Sequence, residues 1–551
     1  MEGCCRDLTS AILWNLEMQN LLTDPWLPFR LRDGSTEVLP ITALVRDDVV
    51  DLALPREDFA SSAYVLLIAL LQTAMQPDDE DDWVDWFEDP PSESELADRL
   101  AALEHAFQLT GPGPCFMQDF DLLDDKKAVP VSGLLIDAPG ENTIKNNTDH
   151  FIKRGVGEVM SPGMAALALW TLQINAPAGG AGHRVGLRGG GPLTVLVMPE
   201  DPLAPLWQKV WFNVIHHDAW PYAKPDLHSA TVFPWLGPTR LSEQPGTEVY
   251  AHAVHPLHMY WSMPRRIRLL VEDRAAECAI SGVKSAQSVR NYRTQNYGNN
   301  YAGNWDHPLT PYRWDPKKPD SPELSLKGQP GGLNYKIWDV LTFSSQQQGQ
   351  RCPRNVVQYD SVRKILDTRG RAVPQLWVSG YDMDNMKARG WHAAAMPLFG
   401  IAPEQQGAVL VLIKELQDLA NLALWHCRGK IKAAWFDSPT DAKGDTSFID
   451  VSFWQRTESA FFDVVRHIAQ SENQELSSEL AGQWLRTLQA AALRIFDQYA
   501  FTDLGDIRSM SKRMLARRQL EGWLRGGKEV KAFKSAYQIQ SATEQGSVAH
   551  E

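Results

Sequence analysis

The sequence predicts an α+β protein in which a large, irregular mixed α/β N-terminal domain is followed by a C-terminal four-helix bundle. With 551 residues the chain is too long for one ordinary core, so two or more domains are expected. From Gly111 to about Ala402 it is rich in glycine, proline, asparagine and short β-like runs such as LTVLVM and IRLLVE. After Pro403, apolar residues recur at helical spacing in four amphipathic segments with short connections, which is typical of an up-and-down bundle.

The order of these segments predicts four regions along the chain. Residues 1–20 carry acids and lack a lengthy apolar run, so they predict a disordered extension rather than a signal peptide. Residues 21–402 form the α+β domain, which includes a buried helix at 57–76 (EDFASSAYVLLIALLQTAMQ). Residues 403–534 form the bundle, and residues 535–551 a polar tail. The piece from Trp314 to Leu333 reads as a linker-like surface loop.

The distribution of charge argues against a protein that coats nucleic acid by itself. The formal net charge is −14, whereas non-specific affinity for nucleic acid comes from cations on phosphates. Eleven acids between Asp78 and Asp98 predict a solvated surface, or one that repels nucleic acid or docks a basic partner. Nine lysines or arginines between Arg508 and Lys534 face two acids there, so the end of the bundle is locally basic.

The cysteines and the absence of leader-like sequence indicate a cytoplasmic protein. The six cysteines are scattered without a CxxC pair, so they predict neither a disulfide framework nor a zinc site. No apolar run is long enough to span a bilayer.

A glycine-rich stretch from Ala176 to Pro192 reads APAGGAGHRVGLRGGGP, with seven glycines in seventeen residues. A Walker loop needs a lysine after its glycines, and a Rossmann turn lies between a strand and the following helix. Here no lysine follows, and the predicted helix precedes the stretch while the predicted strand follows it, so both phosphate-loop interpretations fail. A plain turn and a bare backbone that approaches a ligand remain open.

Three histidines, His252, His255 and His258, raise the alternative of a metal-dependent nuclease or a nucleotide hydrolase. Their period of three, interrupted by Pro256, fits neither a helix face nor an alternating strand, and no carboxylate lies close in sequence. The sequence holds no GxSxG, HExxH or kinase set. We therefore expect a protein that is not an enzyme and has no catalytic residues, bound metal or cofactor.

Three segments interleave cations with amides and aromatic residues, a mixture that suits contacts to phosphates and base edges. They read NTIKNNTDHFIKRGVG (Asn142–Gly157), KSAQSVRNYRTQNYGNNYAG (Lys284–Gly303) and GYDMDNMKARGW (Gly380–Trp391). Each alone is explained by a solvated loop. Together with the glycine stretch they favour nucleic-acid binding, and a scaffold that never touches DNA remains the other non-enzymatic interpretation.

From about Leu21 to the bundle, the chain resembles the large subunit (CasA family) of the type I-E CRISPR surveillance complex, Cascade. The landmarks, in order, are LLTDPWLPFRLRDG, LPREDFASSAYVLLIALLQ, PCFMQ, NTDHFIKRG, the glycine stretch, MPRRIRL, HPLTPY and SGYDMDNMKARGW. The resemblance implies a non-catalytic subunit for antiviral defence that recognises the protospacer-adjacent motif (PAM) in double-stranded DNA through the minor groove. It also implies help in opening the duplex for the R-loop, and recruitment of a helicase-nuclease.

The implied partners are the backbone, handle-binding and small subunits of the complex, CRISPR RNA, target duplex, displaced strand and the helicase-nuclease, with no membrane. By position, the minor-groove loop falls at Ala178, Gly179, Gly180, Ala181 and Gly182, followed by His183 and Arg184. Alanine stands at 178 and 181, where relatives can carry glycine. Some relatives have a cysteine cluster in the middle region, where this chain has Cys278, so zinc is not implied.

Three further groups of residues follow from the resemblance. A mobile loop at His150–Gly163 has Phe151, Lys153 and Arg154 as its contacts, and a basic finger falls within Arg290, Arg293 and Asn296. A wedge that separates the first target base pair maps to the turn after Gly380, with Asn385 at its tip and Lys387 able to hold a phosphate; Met383 and Met386 are the alternative wedge residues. In addition, the charge of the last bundle helix predicts a basic face of Arg513, Arg517 and Arg518 for neighbouring subunits and the displaced strand.

Overall fold

The computed structural model describes residues 17–139, 155–318, 320–368, 374–384, 386–441, 444–502 and 510–539. Most of the predicted N-terminal extension and the last part of the predicted tail lie outside these residues. The predicted α+β class is confirmed, because small antiparallel sheets mixed with helices precede a helical C-terminal region. Within the described residues, no helix combines the length and the apolarity needed to cross a bilayer.

The strands form small sheets in the part of the chain before the bundle. They are β1 (Leu27–Leu31), β2 (Thr36–Leu39), β3 (Val49–Leu52), β4 (Ala128–Pro130), β5 (Thr194–Pro199), β6 (Arg266–Glu272), β7 (Ala276–Glu277), β8 (Lys284–Ser285), β9 (Ser288–Gln295), β10 (Tyr312–Arg313), β11 (Leu324–Ser325), β12 (Gln350–Arg351), β13 (Pro374–Asp384) and β14 (Lys387–Pro397). Their orders are β2–β1–β3, β4–β9–β6, β7–β8, β11–β10–β12 and β14–β13–β5.

The three longest helices, α8 to α10, lie in the C-terminal region. They are α1 (Glu57–Ala74), α2 (Glu80–Glu88), α3 (Glu93–Ala101), α4 (Pro162–Asn175), α5 (Leu206–Trp211), α6 (Trp338–Thr342), α7 (Arg354–Thr368), α8 (Gln406–Trp435), α9 (Ser447–Gln470), α10 (Ser478–Ala500), α11 (Met510–Gly526) and α12 (Lys528–Ala536). The acid run that the sequence marks at 78–98 lies largely on α2 and α3.

The chain divides into two compact units. The first contains the residues up to 329 together with 346–395, and the second contains 330–345 together with the residues from 396 onward. The grouping of 330–345 with the bundle has a clear physical cause. Tyr335 stacks on Phe461 with ring centroids 4.3 Å apart, and its hydroxyl lies 2.9 Å from the Thr457 hydroxyl. Gln417 of α8 donates a 2.8 Å hydrogen bond to the Tyr335 carbonyl.

Helix α4 leads directly into the glycine stretch. It starts with Pro162 at its first position, and the Ser161 hydroxyl caps it by accepting from the Met164 N–H. Most of its residues are buried, and the Trp170 indole donates a 2.7 Å hydrogen bond to the Ser62 carbonyl of α1. A helix that is buried on nearly all sides and tied to its neighbour gives the stretch a fixed starting point.

The β4–β9–β6 sheet provides the second support. Strands β6 and β9 are antiparallel, and Arg266 is paired with Gln295 at one end of the sheet. At that end the Arg266 guanidinium forms an ion pair with Asp119, whose side chain is fully buried, and a 2.7 Å contact with Asp121. Residues 265 and 296 therefore emerge side by side, one before β6 and one after β9.

The ion pair between Arg266 and Asp119 gives a test of this support. Arg266→Ala should lower the free energy of unfolding of the first unit by about 3–5 kcal/mol, because it leaves a buried carboxylate unpaired. Arg46→Ala is the matched control, since Arg46 pairs with Asp48 at the surface, and it should cost no more than about 1 kcal/mol. Chemical denaturation followed by tryptophan fluorescence measures both; equal, small losses would show that the buried pair does not hold the sheet end.

Candidate functional site

The exposed part of the glycine stretch is the loop Ala178–Gly182, which lies between α4 and β5 as the sequence predicts. The four residues from Ala178 to Ala181 are exposed, and Gly182 is half-buried. Gly180 and Gly182 have left-handed φ angles of +93° and +77°, a region that side chains rarely adopt. A Cβ on Gly180 would meet nothing within 4 Å. At Gly180 the loop therefore presents bare backbone to open space, and its exposed side chains on either side are the methyl groups of Ala178 and Ala181.

The back of the loop is fixed by the residues that follow β9. The Asn296 side-chain amide donates a 2.8 Å hydrogen bond to the Ala181 carbonyl, and the Tyr297 N–H donates one of 2.8 Å to the Gly182 carbonyl. Tyr297 has a φ of +66°, which costs about 1–2 kcal/mol in a residue other than glycine. A Cβ on Gly182 would lie 2.8 Å from the Asn296 Cβ, so only glycine allows this close packing.

Arg265 lies under the same loop, in a role that no sequence pattern indicates. Its guanidinium donates to the Pro177 carbonyl, and its Nη1 would lie 3.1 Å from a Cβ on Gly179. Burial lowers the pKa of Arg265 to about 10, so the group remains charged at neutral pH. Burial, with a smaller effect of Arg265, also lowers the pKa of His183, which favours the neutral imidazole beside the loop.

The two arginines inside the stretch are structural rather than free. Arg184 donates to the Ser242 hydroxyl at 2.7 Å and to the Ser242 carbonyl, and its guanidinium lies 5.9 Å from the centre of the Tyr297 ring. Arg188 is buried and donates to the hydroxyls of Thr194 and Thr310. Arg184 thus supports the loop from the side. Its guanidinium is engaged with Ser242, whereas the sequence predicted a guanidinium that contacts DNA.

Of the three residues predicted as a basic finger, the structure brings Asn296 to the glycine loop. Arg290 and Arg293 lie half-buried on β9. The guanidinium of Arg293 contacts the carboxylate of Asp124, so its charge is already paired. The predicted finger is therefore an amide at the loop and two arginines farther along the strand.

The predicted wedge segment is a β-hairpin made of β13 and β14, and Gly380 lies within β13 rather than in its turn. Asn385, the predicted tip, lies outside the described residues. Met386 and Lys387 next to it are exposed, whereas Met383 is half-buried. A Cβ on Gly191 would lie 2.8 Å from the Met383 Cγ, so the hairpin packs against the end of the glycine stretch.

Helix α1 anchors strand β13 of this hairpin. The Tyr381 hydroxyl donates to the buried Asp58 carboxylate, which also forms a 2.8 Å ion pair with Arg56. Ser379 and Ser61 lie 2.8 Å apart through their hydroxyls. These contacts connect the hairpin to α1, the same helix to which Trp170 of α4 donates its hydrogen bond.

A segment that the sequence suggests is linker-like joins the two elements. Ser325 donates to the Arg188 carbonyl, and the Leu193 N–H donates a 2.8 Å hydrogen bond to the Leu326 carbonyl. Two isolated bridges then pair Lys327 with Pro192 and Gly328 with Asp382. Residues 325–328 therefore lie between the glycine stretch and the hairpin, where no sequence periodicity would have placed them.

The predicted mobile loop falls mainly on residues that are not described. Phe151, Lys153 and Arg154 lie outside the described residues. Its last part, as predicted to Gly163, is regular structure: Met160 and Val289 exchange two backbone hydrogen bonds, and Gly163 belongs to α4. The loop predicted at this position thus ends before Pro162.

The predicted basic face of the bundle needs a correction. Arg513 is buried, and its guanidinium lies 4.3 Å from the centre of the Trp435 ring, since this side of α11 faces the bundle core. Arg517 donates two hydrogen bonds to Asp497, at 2.6 and 3.0 Å. Arg518 is exposed. Because an α-helix has 3.6 residues per turn, these three arginines differ in exposure around α11 although they are close in sequence.

The three histidines do not converge on a common point. His255 bonds to the Ala223 carbonyl and the Leu257 N–H, and His258 bonds to the Thr231 carbonyl and the Tyr301 hydroxyl. His252 stacks on Tyr250 instead. In the described ranges, no group of three histidine, cysteine or acidic residues could hold a metal ion. The alternative of a metal-dependent enzyme therefore has no geometric support here.

Comparison with known proteins identifies one family and one fold. The family described as CRISPR-associated protein Cse1 matches residues 20–495. The fold is similar to Thermus thermophilus CasA (Cse1), with a TM-score of 0.65 and 18% identity over 92% of this chain and 100% of that one. Thermobifida fusca Cse1 gives 0.64 and 18%, over 93% and 98%. A chain of a CRISPR RNA-guided surveillance complex gives 0.61 and 15%, over 92% and 100%.

The contact between Asn296 and Ala181 gives a test of how the loop is held. Asn296→Ala should speed hydrogen exchange at the amides of His183 and Tyr297 about two- to tenfold, since it removes one hydrogen bond worth about 0.5–1.5 kcal/mol. Gln295→Ala, one residue earlier on the opposite face of the strand, should leave both amides unchanged. Exchange followed by mass spectrometry decides; equal protection in the two variants would mean that Asn296 does not hold the loop.

Proposed function

Because the chain belongs to the CRISPR-associated protein Cse1 (CasA) family, the large subunits of CRISPR Cascade surveillance complexes, we propose that it recognises the PAM in double-stranded DNA. In this proposal the loop Ala178–Gly182 enters the minor groove. The observation that carries the proposal is the bare, exposed backbone of this loop, held from behind by Asn296 and Tyr297.

The dimensions of DNA explain why such a loop suits this task. The minor groove is about 6 Å wide, so small residues and backbone enter it where larger side chains do not. Its pattern of donors and acceptors separates mainly A·T from G·C pairs, so recognition there tolerates several related motifs. The N–H groups of Gly179, Gly180 and Ala181 and the Gly179 carbonyl are the recognition groups in this proposal, because the Ala181 and Gly180 carbonyls already accept from Asn296 and His183.

The other predicted residues take supporting roles in the same proposal. Phe151, Lys153 and Arg154 contact the duplex or the guide assembly. Asn385, or Met386 beside it, separates the first base pair at the hairpin tip, where inserting a side chain costs a few kcal/mol per step. Lys387 holds a phosphate of the opening strand, and its exposed position is compatible with that role.

Because the chain is acidic overall, we propose that the assembled complex provides the affinity for DNA and that this subunit provides the discrimination between PAM sequences. With a net charge of −14, the chain contributes little general attraction for DNA. CRISPR RNA pairing reads the target sequence while the protein reads the short motif, as in other guide-directed effectors. We propose that the subunit itself is not catalytic, acts in the cytoplasm in antiviral defence, and recruits a helicase-nuclease after the R-loop forms.

Gly180→Val tests the proposal directly. It adds a branched side chain to the open face of the loop and strains a left-handed residue. In the assembled complex with its guide RNA, affinity for a PAM-containing duplex should fall about tenfold or more, comparable to one mismatched base pair. Affinity for a complementary single strand should not change. Quantitative binding measurements on both DNAs supply the result.

Gly34→Val is the matched control, because Gly34 also has a left-handed φ, +86°, with nothing within 4 Å of an added Cβ. It carries the same backbone strain and lies outside the proposed interface, so it should bind both DNAs normally. If the two valine variants behave alike on the duplex, the loop does not read the PAM.

A further inference from the structure

Lys327 is an exposed cation that lies between the two surfaces assigned to the duplex in the proposed function. Its side chain runs along Gly189, where an added Cβ would lie 3.3 Å from both the Lys327 Cε and Nζ. The next residue, Gly190, packs on Pro177 at the base of the loop, where an added Cβ would lie 2.8 Å from the Pro177 Cα. On the other side, Gly328 bridges to Asp382 of the hairpin.

The backbone of Lys327 is fixed although its ammonium group is exposed. The flanking residues are tied down by the bridge to Pro192 and by the hydrogen bond from the Leu193 N–H to the Leu326 carbonyl. Gly189, with a φ of +81°, leaves the space that the lysine stem occupies. Only a flexible end is therefore free to move, and it stays near the junction of loop and hairpin.

Lys327 also differs from nearby cations in that they form ion pairs with carboxylates. Arg351 pairs with Glu323, Lys318 with Asp315 and Arg389 with Asp382. Among the residues that the structure describes, no carboxylate pairs with Lys327. In a chain of net charge −14, a lysine without a counter-charge at this place is suited to an external anion.

We propose that Lys327 binds a backbone phosphate of the duplex between the PAM and the first base pair to be opened. This inference rests on the proposed function. If the tip of the loop enters the minor groove, a cation at its base faces a groove wall, which is phosphate and sugar. Lysine contacts to phosphate fix the register of a protein on DNA without carrying sequence information. Lys327 is thus a positioning residue that sets the distance from the PAM to the hairpin tip.

The test measures the salt dependence of duplex binding by the assembled complex. Lys327→Ala should lower the slope of log K against log salt by about one, as expected for one lost phosphate contact. The loss of affinity should be equal for preferred and poor PAM sequences. Lys327→Arg should restore the slope because it keeps the charge. Lys317→Ala is the matched control, because Lys317 is an exposed lysine earlier in the same linker-like segment. It should leave the slope unchanged.

Each other outcome contradicts the inference in a recognisable way. A slope for Lys327→Ala equal to that for Lys317→Ala means that no phosphate contact exists. A loss that depends on the PAM sequence means a base contact instead. Gly180→Val in the same titrations separates the two proposals: if it loses PAM binding while Lys327→Ala is normal, the phosphate contact alone is wrong. If neither variant changes duplex binding, the proposed function is wrong as well.

Discussion

The site depends on two hydrogen bonds that join the end of β9 to the glycine loop: Asn296 to the Ala181 carbonyl, and the Tyr297 N–H to the Gly182 carbonyl. They hold a loop whose glycines have no side chains with which to hold themselves. Without them the entropy of bare backbone would spread the loop over many conformations. The register of β6 and β9, in which Arg266 lies opposite Gln295, brings these groups to the loop.

The charged residues around the loop also divide into those that support it and those that are available for recognition. Arg184, Arg188 and Arg265 are engaged with protein groups, so they brace the loop and its base. Near the site, Lys327 beside the loop and Lys387 at the hairpin are exposed. An acidic chain that engages the arginines of this site with protein groups and leaves these two lysines exposed gains discrimination with little non-specific attraction for nucleic acid.

The fold class and the order of neighbouring helices and strands could be predicted from the sequence, because both depend on patterns among residues that are close along the chain. The apolar helix before the glycines and the strand LTVLVM after them gave α4 and β5 directly. The supports could not be predicted, since Asn296 lies 115 positions from Ala181 and contacts between such distant residues have no periodic signal. Arg513 shows a different limitation. Its charge predicted an exposed side chain, but its position on α11 places it in contact with the Trp435 ring, where it is buried.

Photo-crosslinking of the assembled complex to PAM-containing duplex, followed by mapping of the adducts, tests the central claim most directly. Probes placed in the minor groove of the PAM should give adducts within residues 178–184, and these should disappear when the PAM pairs are replaced. Adducts that fall outside this loop, or that do not depend on the PAM, would contradict the account.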